Sequence, residues 1–329
     1  MPPRLLKPYG DPRLERELVG DIVEVYGLKA EQDTNQALNT ALRQADYLMG
    51  DIDAAVTEEV LQAAPRLRAV ICRSIGIDFV DVEAASRRSI LVLNSPLFCV
   101  RAVAEYALTI MLCVAHQIPK ATHVMYRGDW AAREGLRGIE MKGKTLGLIG
   151  FGRIGQELAH MAQGIGMQVI AYDPYCAKKS ANVQMLTLHQ VLMQADVVSI
   201  HSPLTSQTRG MIGAQQLSWM KPGAILINVS RGGIVDEWAL KKVLDSGKLF
   251  AAALDVLARE PAQPGDCFYQ TEQDNLLLTP HAAWNTMEGH LRNQNTFRRQ
   301  LISLLKGKIP EEGVVNPEVS QQWIDRWGE

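Results

Sequence analysis

Hydrophobic positions along the chain follow two rhythms. Short apolar runs recur at residues 21–26, 45–49, 67–72, 90–93, 146–149, 169–172, 197–200, 224–229, 250–254 and 276–279. Between many of them lie stretches with apolar residues three and four apart, at 36–43, 57–64, 188–194, 215–220 and 236–245. The first rhythm suits strands and the second amphipathic helices; their alternation predicts parallel sheets covered by helices. Thr57, followed by Glu58 and Glu59, reads as a capped helix start, and Gly247 as a helix stop. Two segments depart from the alternation. Residues 100–117 carry Val100, Val103, Ala107, Met111, Val114 and, just beyond, Ile118, a helical stripe so apolar that it predicts burial between domains or subunits. Residues 290–305, with Leu291, Phe297, Leu301, Ile302 and Leu305, form a helix after the last strand, and it is expected to cross back to the first domain. Residues 127–142 are polar, contain Gly128 and Gly135, and read as an irregular connection.

One stretch within this pattern carries a ligand signal. The run at 146–149 leads into Gly150-Phe-Gly152-Arg-Ile-Gly155, then a helical pattern, then the run at 169–172 and Asp173. Gly150 permits a tight turn, Gly152 lets backbone approach a pyrophosphate, and Gly155 lets helix pack on strand. The pyrophosphate would sit on the free N–H groups at the helix start, with Arg153 and Ile154 next to it. Asp173 stands where an acid meets a ribose 2′-hydroxyl, which favours NAD over NADP. Lys178 and Lys179 would soften that preference, and are read as a solvated loop.

Composition narrows the rest. The 329 residues suggest two domains, and 47% apolar content is ample for two cores. A net charge of −2 offers no general attraction to nucleic acid. No apolar run is long enough to span a bilayer, and the N-terminal residues lack a secretory pattern, so no membrane partner and a cytoplasmic location are expected. Cys72, Cys99, Cys113, Cys176 and Cys267 have no zinc or redox spacing; reduced thiols and no metal site are expected.

Three charged or titratable residues follow three late strands. They are Arg231 in Asn228-Val-Ser-Arg-Gly-Gly, Glu260 before Pro261, and His281 after Pro280. A cation, a carboxylate and an imidazole beside a nicotinamide suit hydride transfer at a carbon bearing oxygen. The imidazole would exchange the hydroxyl proton, the carboxylate would orient it and favour its protonated form, and the arginine would hold a substrate carboxylate. His201, in His201-Ser-Pro-Leu-Thr205, is read as lining the cofactor cleft without titrating in catalysis.

These motifs, with Lys221-Pro-Gly-Ala224, Asn228 to Glu237 and Ala253-Leu-Asp-Val256, make the chain resemble the NAD-dependent D-2-hydroxyacid dehydrogenases, over residues 54–316. The resemblance implies an α/β fold of two doubly wound parallel-sheet domains. A Rossmann NAD domain, residues 98–285, is inserted into a flavodoxin-like substrate (catalytic) domain, residues 1–97 plus 286–329, and the cleft between them closes on substrate. It implies catalysis by Arg231, Glu260 and His281 and a nicotinamide carboxamide held by Asp255. Ser202, Pro203, Val229, Ser230, Arg231, His281 and Trp284 would also line the cofactor site, and the peptide groups of Ser74, Ile75 and Gly76 would join Arg231 in holding the substrate carboxylate. It also implies a homodimer through the NAD domain, with the helix from Val100 as a dimer element. The turn at Ser74-Ile75-Gly76 has one glycine fewer than the family pattern. Phe98 and Cys99 are read as hinge packing, with shaping of the substrate pocket as the alternative; Arg101 would, on that alternative, meet a second anionic group. Formate oxidation is disfavoured because that branch has an amide where Glu260 stands. A non-catalytic corepressor-like member is the alternative from another class, disfavoured because long extensions are missing, as is a regulatory amino-acid-binding domain.

Overall fold

The structure, a computed structural model, describes residues 2–8, 11–28, 35–50, 55–176, 182–271 and 273–328. Lys178 and Lys179 lie outside the described residues. The chain divides into two compact units, Met1–Cys99 with Thr286–Glu329, and Val100–Asn285. Phe98 and Cys99, which the sequence places with the second unit, group with the first.

The first unit contains β1 (Arg4–Lys7), α1 (Arg13–Val19), β2 (Glu24–Gly27), α2 (Asn35–Leu42), β3 (Tyr47–Gly50), α3 (Glu58–Ala63), β4 (Ala69–Cys72), α4 (Val82–Arg87) and β5 (Leu91–Leu93). These strands run parallel in the order β2-β1-β3-β4-β5, the flavodoxin-like order. Side chains alternate across such a sheet, so each strand feeds two cores. Leu5, Tyr47, Met49, Ile71 and Leu91 face one layer, while Leu6, Leu48, Val70 and Val92 face the other with Leu42, Leu61 and Ala84. Thr57 occupies the position before α3 in extended conformation, but its side chain makes no capping hydrogen bond.

The second unit opens with α5 (Val100–Ala115) and α6 (Ile118–Tyr126). It continues with β6 (Thr145–Ile149), α7 (Arg153–Gly164), β7 (Gln168–Tyr172), β8 (Gln184–Met185), α8 (Leu188–Gln194), β9 (Val197–Ile200) and α9 (Ala214–Trp219). It ends with β10 (Ile225–Asn228), α10 (Glu237–Asp245), β11 (Ala251–Leu254) and β12 (Leu276–Leu278). Its described strands are parallel in the order β12-β11-β10-β9-β6-β7-β8. The order reverses between β6 and β9, and a crevice at such a point is where ligands bind in open parallel sheets.

The apolar stripe of α5 has a local explanation. Val103, Ala107, Met111 and Val114 are buried, and the helix packs on α7, β10 and β11 of its own unit. A run of exposed apolar side chains lies on the next helix, which the sequence pattern did not separate from α5. None of α6 is buried, and Ile118, Met125 and Tyr126 are exposed, as is Trp130 in the short 3-10 turn that follows. No single helix among the described residues is long and apolar enough to cross a membrane.

The chain then returns to the first unit through α11 (Met287–Leu305) and α12 (Ser320–Trp327). Thr286 caps α11 by accepting the Gly289 N–H. Phe297, Leu301, Leu304 and Trp323 complete the core against β1, β3, β4 and β5. Asn316, buried between them, accepts the Val92 N–H and donates to the Ile90 carbonyl, continuing the hydrogen bonding of β5.

Candidate active site

The cofactor signal sits at the switch point of the second unit. Gly150 follows β6 with φ +96°, and its N–H donates to Tyr172 O. A Cβ there would lie 2.7 Å from the backbone C and O of His201, so only glycine fits between the ends of β6 and β9. Gly152 precedes α7 and supplies no side-chain cap. A Cβ on it would meet nothing within 4 Å, so the helix start opens onto space. Arg153, Ile154 and Gly155 form the first turn, whose N–H groups have no partner within the helix. Gly155 packs against the turn, since a Cβ would lie 2.5 Å from Gly150 O.

Asp173 ends the next strand as expected, and it is tied to the glycine turn. Its Oδ2 accepts the Phe151 N–H at 2.9 Å and its Oδ1 the Tyr175 N–H at 2.9 Å. His201 ends β9. Its ring Nε2 is 2.8 Å from Ser199 Oγ, and its Nδ1 is buried with no partner. Burial pulls its pKa down to about 4, so the ring is neutral at ordinary pH. Ser202 donates to Ile149 O, and the Pro203 carbonyl accepts from Thr208. An uncapped helix start, open space at Gly152, an acid after β7 and an unpaired buried nitrogen at the switch point all fit a dinucleotide.

The catalytic candidates gather at the ends of β10, β11 and β12. Asn228, buried at the end of β10, shapes the first turn by accepting the Ser230 N–H and donating to Arg231 O. Val229 is buried beside it, and Arg231 Nη1 donates to Ser230 O. Glu260 accepts the Leu257 N–H on Oε1 at 2.9 Å, and its Oε2 lies 2.7 Å from His281 Nδ1. His281 has φ +51°, a left-handed conformation uncommon for a side chain of its size. Its N–H donates to Asp255 O at 2.7 Å, which holds the backbone there. With Nδ1 turned to the carboxylate, Nε2 is the ring atom left for a substrate.

Asp255 has a task that the sequence did not disclose. It is 1% exposed. Its Oδ1 accepts from Thr279 Oγ1 at 2.7 Å and the Ala282 N–H at 2.9 Å, and its Oδ2 accepts the Ala283 N–H at 2.9 Å. It therefore splints the segment carrying His281. Trp284 follows, partly buried. A hint lay in the motif spacing, because Asp255 ends β11 where a neighbouring strand end could be gripped.

Burial raises the Glu260 carboxyl pKa. The hydrogen bond and charge of His281, the Leu257 N–H and the charge of Arg231 outweigh burial and lower it overall. His281 and Arg231 thus both act on Glu260. The sign follows from linkage: a carboxyl with a depressed native pKa adds stability above its unfolded value and loses it as pH falls through the native one. The urea midpoint of wild type should exceed that of Glu260→Gln above pH 4.5, the ordinary glutamate value, and the gap should close below it. A gap that persists unchanged into stronger acid would contradict this reading.

The remaining candidates lie where the sequence put them, with defined partners. In the first unit the Ser74-Ile75-Gly76 turn follows β4. Its three carbonyls are taken by the Ser95 N–H, Asn94 Nδ2 and Ser74 Oγ, so donors are what it retains for a ligand. Arg73 before it is held by Glu15 and Asn293. Phe98 and Cys99 are buried, and Arg292 donates to Phe98 O, in keeping with packing. Arg101, half exposed, pairs with Glu105 and Glu157, each at 2.5 Å. Among the described residues no group of three or more metal-ligating side chains occurs.

Comparison with known proteins agrees with this geometry. Residues 108–283 match the model of the D-isomer specific 2-hydroxyacid dehydrogenase NAD binding domain. A D-3-phosphoglycerate dehydrogenase of Methanocaldococcus jannaschii is 37% identical over 314 residues, 94% of this chain and 58% of that protein. The chain spans a little over half the length of the phosphoglycerate dehydrogenase relatives it matches. A glyoxylate reductase of Aeropyrum pernix is 37% identical over 306 residues, 90% of both chains. The fold matches the TT0316 protein of Thermus thermophilus with a TM-score of 0.85 at 34% identity, covering 95% of this chain and 100% of that one. It matches a D-lactate dehydrogenase of Aquifex aeolicus, solved with NAD and lactic acid, with a TM-score of 0.82 at 26% identity, covering 92% and 96%. By its motifs, its two parallel-sheet units and these similarities, the chain belongs to the NAD-dependent D-2-hydroxyacid dehydrogenase family.

Proposed function

We propose that the protein interconverts a small 2-keto acid and its D-2-hydroxy acid. The observation that carries this reading is the 2.7 Å pairing of His281 Nδ1 with Glu260 at the end of a strand in the NAD-binding unit. NAD, when bound, supplies or accepts the hydride. In the reducing direction, Arg231 holds the substrate carboxylate and polarises the carbonyl. His281 gives its Nε2 proton to the forming alkoxide, while Glu260 fixes the tautomer and balances the charge. In oxidation the same nitrogen takes the hydroxyl proton. The N–H groups of the Ser74–Gly76 turn are the proposed second holder of the carboxylate. Gly150, Gly152, Arg153, Ile154 and Gly155 would hold the pyrophosphate and Asp173 the ribose. The Asp173 charge opposes a 2′-phosphate, so NADH is the favoured donor.

The test is NADH oxidation against glyoxylate, hydroxypyruvate, pyruvate, 3-phosphohydroxypyruvate and bulkier 2-keto acids, with NADPH as a second donor. Turnover with at least one acid, faster with NADH, is expected. Tight NADH binding without turnover on any 2-keto acid would sink the reading. We further propose a homodimer through the NAD-binding unit. Its support is the exposed face of α6 and the following turn, where Tyr126 is 87% and Trp130 63% exposed. A single monomeric species in sedimentation at micromolar concentration would refute it.

A further inference from the structure

Glu237 opens α10, directly after the cap residue Asp236. An acid there ordinarily faces its own helix and balances the helix dipole. Here the capping is done by Asp236, which accepts the Ala239 N–H. Glu237 reaches out of the helix, and its Oε1 accepts the Ala258 N–H at 2.6 Å. The preceding N–H, that of Leu257, is the one that donates to Glu260. Two glutamates therefore grip adjacent peptide N–H groups of one turn, and the second of them, Glu260, pairs with His281.

The other side of this peptide is equally confined. A Cβ on Gly232 would lie 1.9 Å from Leu257 C, 2.1 Å from Leu257 O and 2.3 Å from Ala258 N. The Leu257–Ala258 peptide thus rests on the Arg231–Gly232 turn and is held by Glu237. The Glu237 backbone carbonyl also accepts from the Cys267 thiol, tying the far end of the same loop to α10. Burial pushes the Glu237 carboxyl up, opposed by the Ala258 N–H, while Asp266, Asp236 and Glu260 add to the rise.

We propose that Glu237 is a positioning residue, which fixes the Leu257–Glu260 turn so that Glu260 meets His281 in register with Arg231. The proposal rests on the reading of His281 and Glu260 as the proton-transfer pair. Glu237→Ala should lower kcat about tenfold, since it removes one of the two glutamate contacts that hold the supporting turn. KM for the keto acid and the NADH dissociation constant should stay within about twofold, because the groups that bind them are untouched. Glu237→Gln keeps an acceptor oxygen and should retain most of the wild-type kcat.

The decisive measurement is a double-mutant cycle with Glu260→Ala, paired with hydrogen exchange across residues 254–262. Glu237→Ala should cost little more once Glu260 is gone, and should speed exchange of the Ala258 amide, while Glu237→Gln should not. Wild-type kcat in Glu237→Ala overturns the proposal, as does an equal loss with and without Glu260. If instead Glu260→Ala keeps full activity, the underlying reading of the pair fails, and that result is separate from the behaviour of Glu237.

Discussion

Replacing His281 by alanine is expected to lower kcat by about a hundredfold to ten-thousandfold, the usual worth of a positioned acid–base group. The imidazole beside the glycine turn, His201, cannot take its place. It is held neutral by burial, and its Nε2 is committed to Ser199. The Glu260 carboxyl lacks a proton to give, because its pKa is lowered. The loss should appear in kcat, with NADH binding by fluorescence titration preserved, since the glycine turn is elsewhere on the sheet. One confounding effect is backbone strain, as alanine tolerates φ +51° poorly. His281→Asn answers it, because asparagine accepts the left-handed region while offering no titratable nitrogen. Both variants should be equally slow. Rates equal to wild type in either would remove His281 from the mechanism.

Gly232→Ala should be the most damaging single methyl group in the second unit. The atoms it would meet are main-chain atoms of Leu257 and Ala258, all within 2.3 Å. A side chain can swing away from such a clash, but a peptide fixed by Glu237 and Glu260 cannot. Overpacking commonly costs about 1–3 kcal/mol, and a clash with main chain belongs at the upper end. For a unit of this size each kcal/mol is worth about 2–4 °C in Tm. Thermal unfolding should therefore fall by several degrees. Because Arg231 lies on one side of the contact and Glu260 on the other, kcat/KM should fall as well, more than stability alone explains at a temperature where the variant is folded. Unchanged melting and unchanged kinetics would show that the loop yields freely.

Much of this was legible from the residues, and the gaps have physical reasons. β9 and β10 are runs of mostly branched apolar residues and α8 carries its apolar residues three and four apart, so these stand out from pattern alone. β1 does not. Its Leu5 and Leu6 are fully buried, but they are only two residues between Arg4 and Lys7, with Pro2, Pro3 and Pro8 close by. A strand paired on both sides can be that short, because its neighbours supply the ladder. α6 was missed because its apolar residues face outward, so no buried stripe marks it off from α5. Arg231, Glu260 and His281 could be named because each follows a strand. The holding contacts of Asn228, Glu237 and Asp255 could not be read, because they are made largely to main-chain groups, and a peptide leaves no trace in the side-chain alphabet.

The return of α11 and α12 to the first sheet bears on how the chain is made. Residues 100–285 are contiguous and can close their own core as soon as they have been synthesised. The first unit cannot, because Phe297, Leu301, Leu304 and Trp323 cover one layer of a sheet whose strands were completed by Leu93. Leu5, Tyr47 and Ile71 must therefore wait, covered on that face only by the residues around α1 such as Val19 and Val23, until residues 297–323 have been synthesised. During that interval the nascent protein is half finished at its beginning and whole in its middle, and the exposed layer of early strands is what a chaperone would find to hold.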